Sequence, residues 1–240
     1  MMRKVKNLLP AIFLMIVFVS STSFYQGSSG MEKISASMLS RQVQKGKTVT
    51  IKGEIYYRRN GNLITHFSYP KEYVIIGNKF GETKIYDVAK NSVISYQNFV
   101  FSTQSTQFFY FFSGKFSDMG LNEIGFVQDK SYYENGFMVT EWHVAVPQKK
   151  DLVQRVKLVF DKENPIYIDY RDAKGTILRK VFYYNYTKLA NYNFPAITTE
   201  IIYDGRDSTV SKTSYTDFKV NENATSKYFD FTIPANAKSE

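Results

Sequence analysis

The sequence predicts a mainly β protein of the α+β class, with about eleven strands in antiparallel hairpins and a few helices. Three observations lead there. Long stretches alternate apolar and polar residues with a period of two, the mark of half-buried strands. Turn signals such as Asn60-Gly61 and Asp172-Ala173-Lys174-Gly175 separate them. The chain also carries 19 Tyr and 20 Phe against one Trp, and aromatics favour strands while burying large areas.

The chain starts with Arg3, Lys4 and Lys6, continues through an apolar run from Leu8 to Val19 and reaches small residues at Ser21-Thr22-Ser23. This is the pattern of a secretory signal peptide over residues 1–23, removed on export. The run is about 12 residues, short of the ~20 that span a bilayer; an uncleaved anchor is the rival reading. Residues 24–240 then read as one domain. There is no cysteine, which excludes disulfides, thiol catalysis, cysteine-ligated metal and a lipid anchor on an N-terminal cysteine. An apolar fraction of 43% is enough for the core to hold the fold by itself.

Residues 24–30 read as a flexible leader. Met31 to Gln44 reads as a helix, because Ile34, Met38, Leu39 and Val43 fall near one helical face. From Val49 the period is two. Ile51, Ile55, Tyr57 and Arg59 fall on one face of a strand, and Lys52, Glu54, Tyr56 and Arg58 on the other, the polar side. Asn60-Gly61 closes a hairpin, and 62–69 returns with Leu63, Phe67 and Tyr69 on one face before Pro70. Segments 73–77, 83–88 and 92–97 complete a five-stranded meander. Residues 103–125, with Phe108, Phe109, Tyr110, Phe111 and Phe112 in a row, read as one or two helices with very apolar faces, or as a buried strand. Strands resume at 136–144, 152–160, 166–171 and 176–186. A hairpin follows at 196–203 and 209–220, and a last short strand at 228–233 ends at Pro234.

The chemistry is mostly negative. The formal charge of +9 falls to about +6 without the signal peptide, and the basic residues are interleaved with acids. No run tracks a phosphate backbone, so nucleic acid is not an expected partner. His66 and His143 lie in strands, and Glu141 shares a face with His143. Such a pair could ligate a metal, but surface strand positions account for it more simply, and no metal or other cofactor is expected. There is no Gly-x-Ser-x-Gly elbow, glycine-rich phosphate loop or dinucleotide fingerprint. Nothing argues for an enzyme. Arg59 stands out because an arginine at the edge of an apolar face needs its donors satisfied or must reach water from a strand end.

The segment GEIYYRRNGNLITHFSYP (Gly53 to Pro70), followed by YVIIGNK and KIYD, resembles the outer-membrane lipoprotein carrier (LolA-like) family. So do DYRDAKGTI and the closing FDFTIPANA. Asn60 stands where the family has proline and Thr65 where it has an aromatic, and the family's first strand, ahead of the glycine strand, is not recognisable in this sequence.

The resemblance implies an incomplete antiparallel barrel whose apolar concave side is covered by a lid of helices, at about 31–44 and 103–125. It implies a periplasmic monomer that takes acylated lipoproteins, or another acylated lipid, from an inner-membrane release complex to an outer-membrane acceptor. Arg59 would latch the lid. Ile51, Ile55, Tyr57, Leu63, Phe67, Phe108, Phe109, Phe111 and Phe112 would line the acyl-chain pocket. A sensor or interaction module on the same fold is the alternative, and a hydrolase of lipid or glycan a more distant one.

Overall fold

The alternation that marks the strands carries most of the chain into a single ladder. The computed structural model describes residues 30–97, 108, 117–147, 152–189 and 192–240. The chain divides at Gly30 into a leading piece, of which Gly30 alone is described, and the unit Met31–Glu240, to which all the strands belong.

The strands are β1 (Lys33–Gln44), β2 (Lys47–Arg58), β3 (Leu63–Tyr69), β4 (Tyr73–Gly77), β5 (Glu82–Asp87), β6 (Ser92–Gln97), β7 (Phe126–Glu134), β8 (Phe137–Val144), β9 (Arg155–Asp161), β10 (Asn164–Arg171), β11 (Ile177–Leu189), β12 (Tyr192–Asp204), β13 (Asp207–Val220) and β14 (Lys238–Ser239). They form one open, curved sheet in the order β14-β6-β5-β4-β3-β2-β1-β13-β12-β11-β10-β9-β8-β7. All pairings are antiparallel except that of β14 with β6. Two meanders, β1–β6 and β7–β13, therefore meet at one seam, where Ile34 opposes Val220 and Gln44 opposes Thr209.

Each face has its own core. The larger, on what we call the inner face, gathers Ile34, Ile55, Tyr57, Trp142, Leu158, Phe160, Ile168, Tyr183 and Phe194, joined by Phe108, Met119 and Leu121 from the connection between β6 and β7. The smaller lies on the outer face of β2–β5 and comprises Tyr56, Ile64, Val74 and Tyr86, covered by Ala224 and Phe229. Its cover is the C-terminal segment, which leaves β13 through short 3-10 turns at Asn221–Asn223 and Lys227–Asp230.

The hairpins at Asn60-Gly61, Asn78–Gly81, Asp172–Gly175 and Asp204–Asp207 stand where the turn residues put them. Three readings are corrected. Residues 33–44 are a strand, not a helix: Ile34–Met38 and Leu39–Val43 are four apart, a spacing that satisfies both periods, and the seam with β13 decides between them. This is also the strand ahead of the glycine strand. Residues 228–233 alternate like a strand but lie against the outer face, with Lys227–Asp230 in a 3-10 turn. Residues 126–134 are a strand that periodicity missed, because on this edge most of its side chains are exposed and a bulge at Gln128/Lys130 breaks the alternation. Within 103–125, residues 117–121 are turns and Asn122–Ile124 is a 3-10 turn; apart from Phe108, residues 103–116 lie outside the described residues. So does the 1–23 signal-peptide segment.

Candidate functional site

On the inner face, strand parity does its work along β2. Ile55 and Tyr57 are buried there, with Ala36 opposite Ile55 and Leu63 opposite Tyr57. Ile51 and Phe67 are half-buried on the same face, Ile51 beside Ser40 and Phe67 beside Gly53. Gly53 is required by its neighbour strand: a Cβ there would come within 2.5 Å of the His66 carbonyl oxygen. Burial raises the Tyr57 hydroxyl pKa well above its ordinary value.

Phe108, 2% exposed, sits on this face. Its ring lies 6.0 Å from that of Tyr57, 5.1 Å from Phe194 and 5.3 Å, edge on, from Tyr215. Phe218 stacks edge on against Phe194 at 5.4 Å. So Phe108, a residue of the connection between β6 and β7, occupies the middle of an aromatic basin built by β2, β12 and β13. Phe109, Phe111 and Phe112 lie outside the described residues. Phe194, Tyr215 and Phe218 were not singled out from the sequence, although Phe194, Ala196 and Thr198 alternate at the start of β12. Toward the other end the inner face becomes polar. Thr213 donates to Ser40 at 2.9 Å, and Arg179, lying 5.2 Å from the Tyr170 ring centroid, bonds Glu200.

Arg59 follows the last residue of β2. Its side chain is exposed, with Nη1 3.1 Å from Glu32 Oε1, and its amide donates to the Glu32 carbonyl at 2.9 Å. The more engaged arginine is Arg58. Rather than facing solvent on a polar side, it grips the C-terminal cover: Nη2 lies 2.7 Å from Asp230 Oδ1, and the guanidinium stands 5.3 Å from the Phe229 ring centroid.

Two clefts open on the outer face. One, of about 500 Å³, lies over β13-β1-β2-β3 and is lined by Ser37, Leu39, Lys52, His66, Ser214 and Thr216 among others. The other, of about 630 Å³, lies over β7–β10. None of the described pocket candidates lines either cleft. His66 Nε2 contacts Glu72 at 2.9 Å and its ring stacks on Tyr228 at 4.2 Å. His143 Nδ1 lies 2.6 Å from Asp129 Oδ1. No group of three metal-ligating side chains gathers among the described residues, and no helix among them is long and apolar enough to cross a membrane.

No family model matches the chain, and no curated protein matches it. Solved structures do. The LolA superfamily protein from Nitrosomonas europaea superposes with a TM-score of 0.57 at 11% identity, over 82% of this chain and 90% of that one. The protein has a LolA-like fold. A domain described as an outer membrane lipoprotein-sorting protein, from Vibrio parahaemolyticus, gives 0.60 at 13% identity over 84% and 91%. A DUF1329 family protein from Desulfovibrio piger gives 0.59 at 14% identity over 84% and 90%. The LolA-like resemblance seen along Gly53 to Pro70 is thus matched by a fold likeness over more than four fifths of the chain.

Proposed function

We propose that the protein is a periplasmic carrier that holds the acyl chains of lipoproteins, or of another acylated lipid, against the inner face of its sheet and moves them between the inner and outer membranes. The observation that carries this reading is Phe108, a side chain from the β6–β7 connection seated among Tyr57, Phe194 and Tyr215. A cover that is not part of the ladder can leave without breaking a strand pairing, and an acyl chain can take its place. Each methylene removed from water contributes ~0.8 kcal/mol, so one chain contributes on the order of 10 kcal/mol. That is enough to displace the Phe108 side chain from its place. No covalent step is involved and no cofactor is needed. The fold shared with a lipoprotein-sorting domain supports the reading.

The test is native mass spectrometry with lipid extraction on protein purified from a bacterial periplasm. Acylated species should accompany the parent, and Tyr215→Glu, at a half-buried inner-face position, should lose them while keeping its melting profile. A clean unliganded mass, with no uptake of added palmitoylated peptide, would sink the carrier reading.

A further inference from the structure

The larger outer-face cleft supports a second site, independent of the acyl-binding reading. The register sets its side chains in rows across β8, β9 and β10. In one row Glu141 opposes Lys157, Lys157 opposes Asp169, and Asp169 opposes Lys180 on β11. The signs alternate, as cross-strand pairing favours. In the adjoining row His143 opposes Arg155, and Arg155 opposes Arg171. There two arginines occupy directly paired positions, an arrangement that is destabilising unless negative charge lies near both side chains.

The nearby acids do not supply it to Arg155. Asp129 contacts His143, Glu134 takes Lys157 at 3.4 Å, and Glu141 lies 3.9 Å from Lys130. Asp169 is fully buried although it belongs to the polar face. It accepts from Arg171 Nε at 2.6 Å and Nη2 at 2.7 Å, and from the Tyr167 hydroxyl at 3.0 Å. That carboxylate fixes the Arg171 guanidinium and leaves its Nη1 with no hydrogen-bond partner among the described residues. The Arg155 side chain, exposed at the cleft, has neither ion pair nor hydrogen bond among them.

We propose that this cleft binds a single phosphate group, with Arg155 as its principal ligand and Arg171 and His143 on either side. Neighbouring strands lie ~4.8 Å apart, so donors from three of them can converge on one small anion. A tetrahedral phosphate offers oxygens in several directions, and guanidinium forks match it. A bound phosphate cancels the like-charge row. Asp129 and Glu141, also in the lining, repel an extended polyanion, which restricts the ligand to an isolated phosphate. The group belongs either to a soluble phosphorylated solute or to a phospholipid headgroup.

Calorimetric titration with glycerol 3-phosphate, and co-sedimentation with phosphatidylglycerol vesicles, test this on protein purified from a bacterial envelope. Arg155→Gln should weaken binding at least ~10-fold, because a charge-assisted fork is lost. Lys212→Gln, an exposed lysine on β13, should bind as the parent does. Heat from glycerol 3-phosphate alone assigns a soluble ligand. Sedimentation that Arg155→Gln abolishes, with or without that heat, assigns a lipid headgroup. Absence of binding in both assays, or equal binding by parent and Arg155→Gln, overturns the proposal.

Discussion

Tyr56 and Tyr57 are neighbours in the chain and face opposite sides of the sheet, and each is sealed by a segment far away in sequence. Tyr56, on the outer face, is stacked on by Tyr228 at 5.4 Å and met edge on by Phe229 at 5.3 Å. Its cover is tied down by Arg58 with Asp230, by the Ser226 hydroxyl accepting from the Tyr228 amide at 3.3 Å, and by β14 pairing with β6. Tyr57, on the inner face, meets Phe108, whose contacts among the described residues are packing contacts with apolar side chains, Phe194 and Tyr215 included. A cover fixed by polar and ladder bonds is part of the fold. A cover held by apolar packing can be exchanged for another apolar body. On the carrier reading proposed above, the inner face is the side that exchanges its cover.

The sharpest way to break that comparison is to truncate both covers. Phe229→Ala should cost about 3–4 kcal/mol in denaturant unfolding, since the outer cover cannot detach without exposing its core. Phe108→Ala should cost clearly less, about 1–2 kcal/mol, because the loss at an exchangeable cover is capped by that segment's own docking free energy. Equal costs would mean that both covers are permanent. Arg58→Ala should cost about 1 kcal/mol, through the half-exposed pair with Asp230 and the packing on Phe229. Arg59→Leu should change stability by no more than about 0.5 kcal/mol, its partner Glu32 being exposed. Its transfer of acylated protein to an acceptor is the separate measurement that decides a latch role, since unimpaired transfer would remove it.

The tyrosines also set an alkaline limit. Burial, then the 2.6 Å bond to Glu54, raises Tyr56 from 10.0 to about 12, and burial raises Tyr57, Tyr183 and Tyr186 as well. A phenol whose folded pKa is raised ionises first in the unfolded chain. Its contribution is complete below pH 10 and falls as the pH climbs from there toward 12. Melting temperature should therefore be flat up to about pH 9 and drop steeply beyond 10. A melting temperature that held through pH 11 would count against the burial of these hydroxyls.

Much of this was legible in the residues. Period-two parity placed Ile55 and Tyr57 inside, and the Asn60-Gly61 turn fixed the β2–β3 hairpin. Parity also grouped Arg59 with the apolar face, but β2 ends at Arg58 and the next side chain is already in water. What parity could not supply was the role of covers. Tyr228, Phe229 and Phe231 read as strand residues because alternation is the same whether a segment joins a ladder or lies across one. Residues 33–44 were ambiguous for a related reason: only the partner strand, more than 160 residues later, distinguishes a four-residue spacing on a helix from the same spacing on a strand.

The seam between β1 and β13 bears on how the chain reaches its native state. Most strand pairings join segments adjacent in sequence, so each meander can zip locally, but the seam and the outer cover both draw on residues beyond 206. Closing such a loop carries the entropic cost of non-local contacts, which slows folding. A chain synthesised from its N-terminus delivers those residues last. The first meander therefore emerges without its seam partner or its outer cover, and the unfinished ladder edge at β1 is the surface that a chaperone would have to shield.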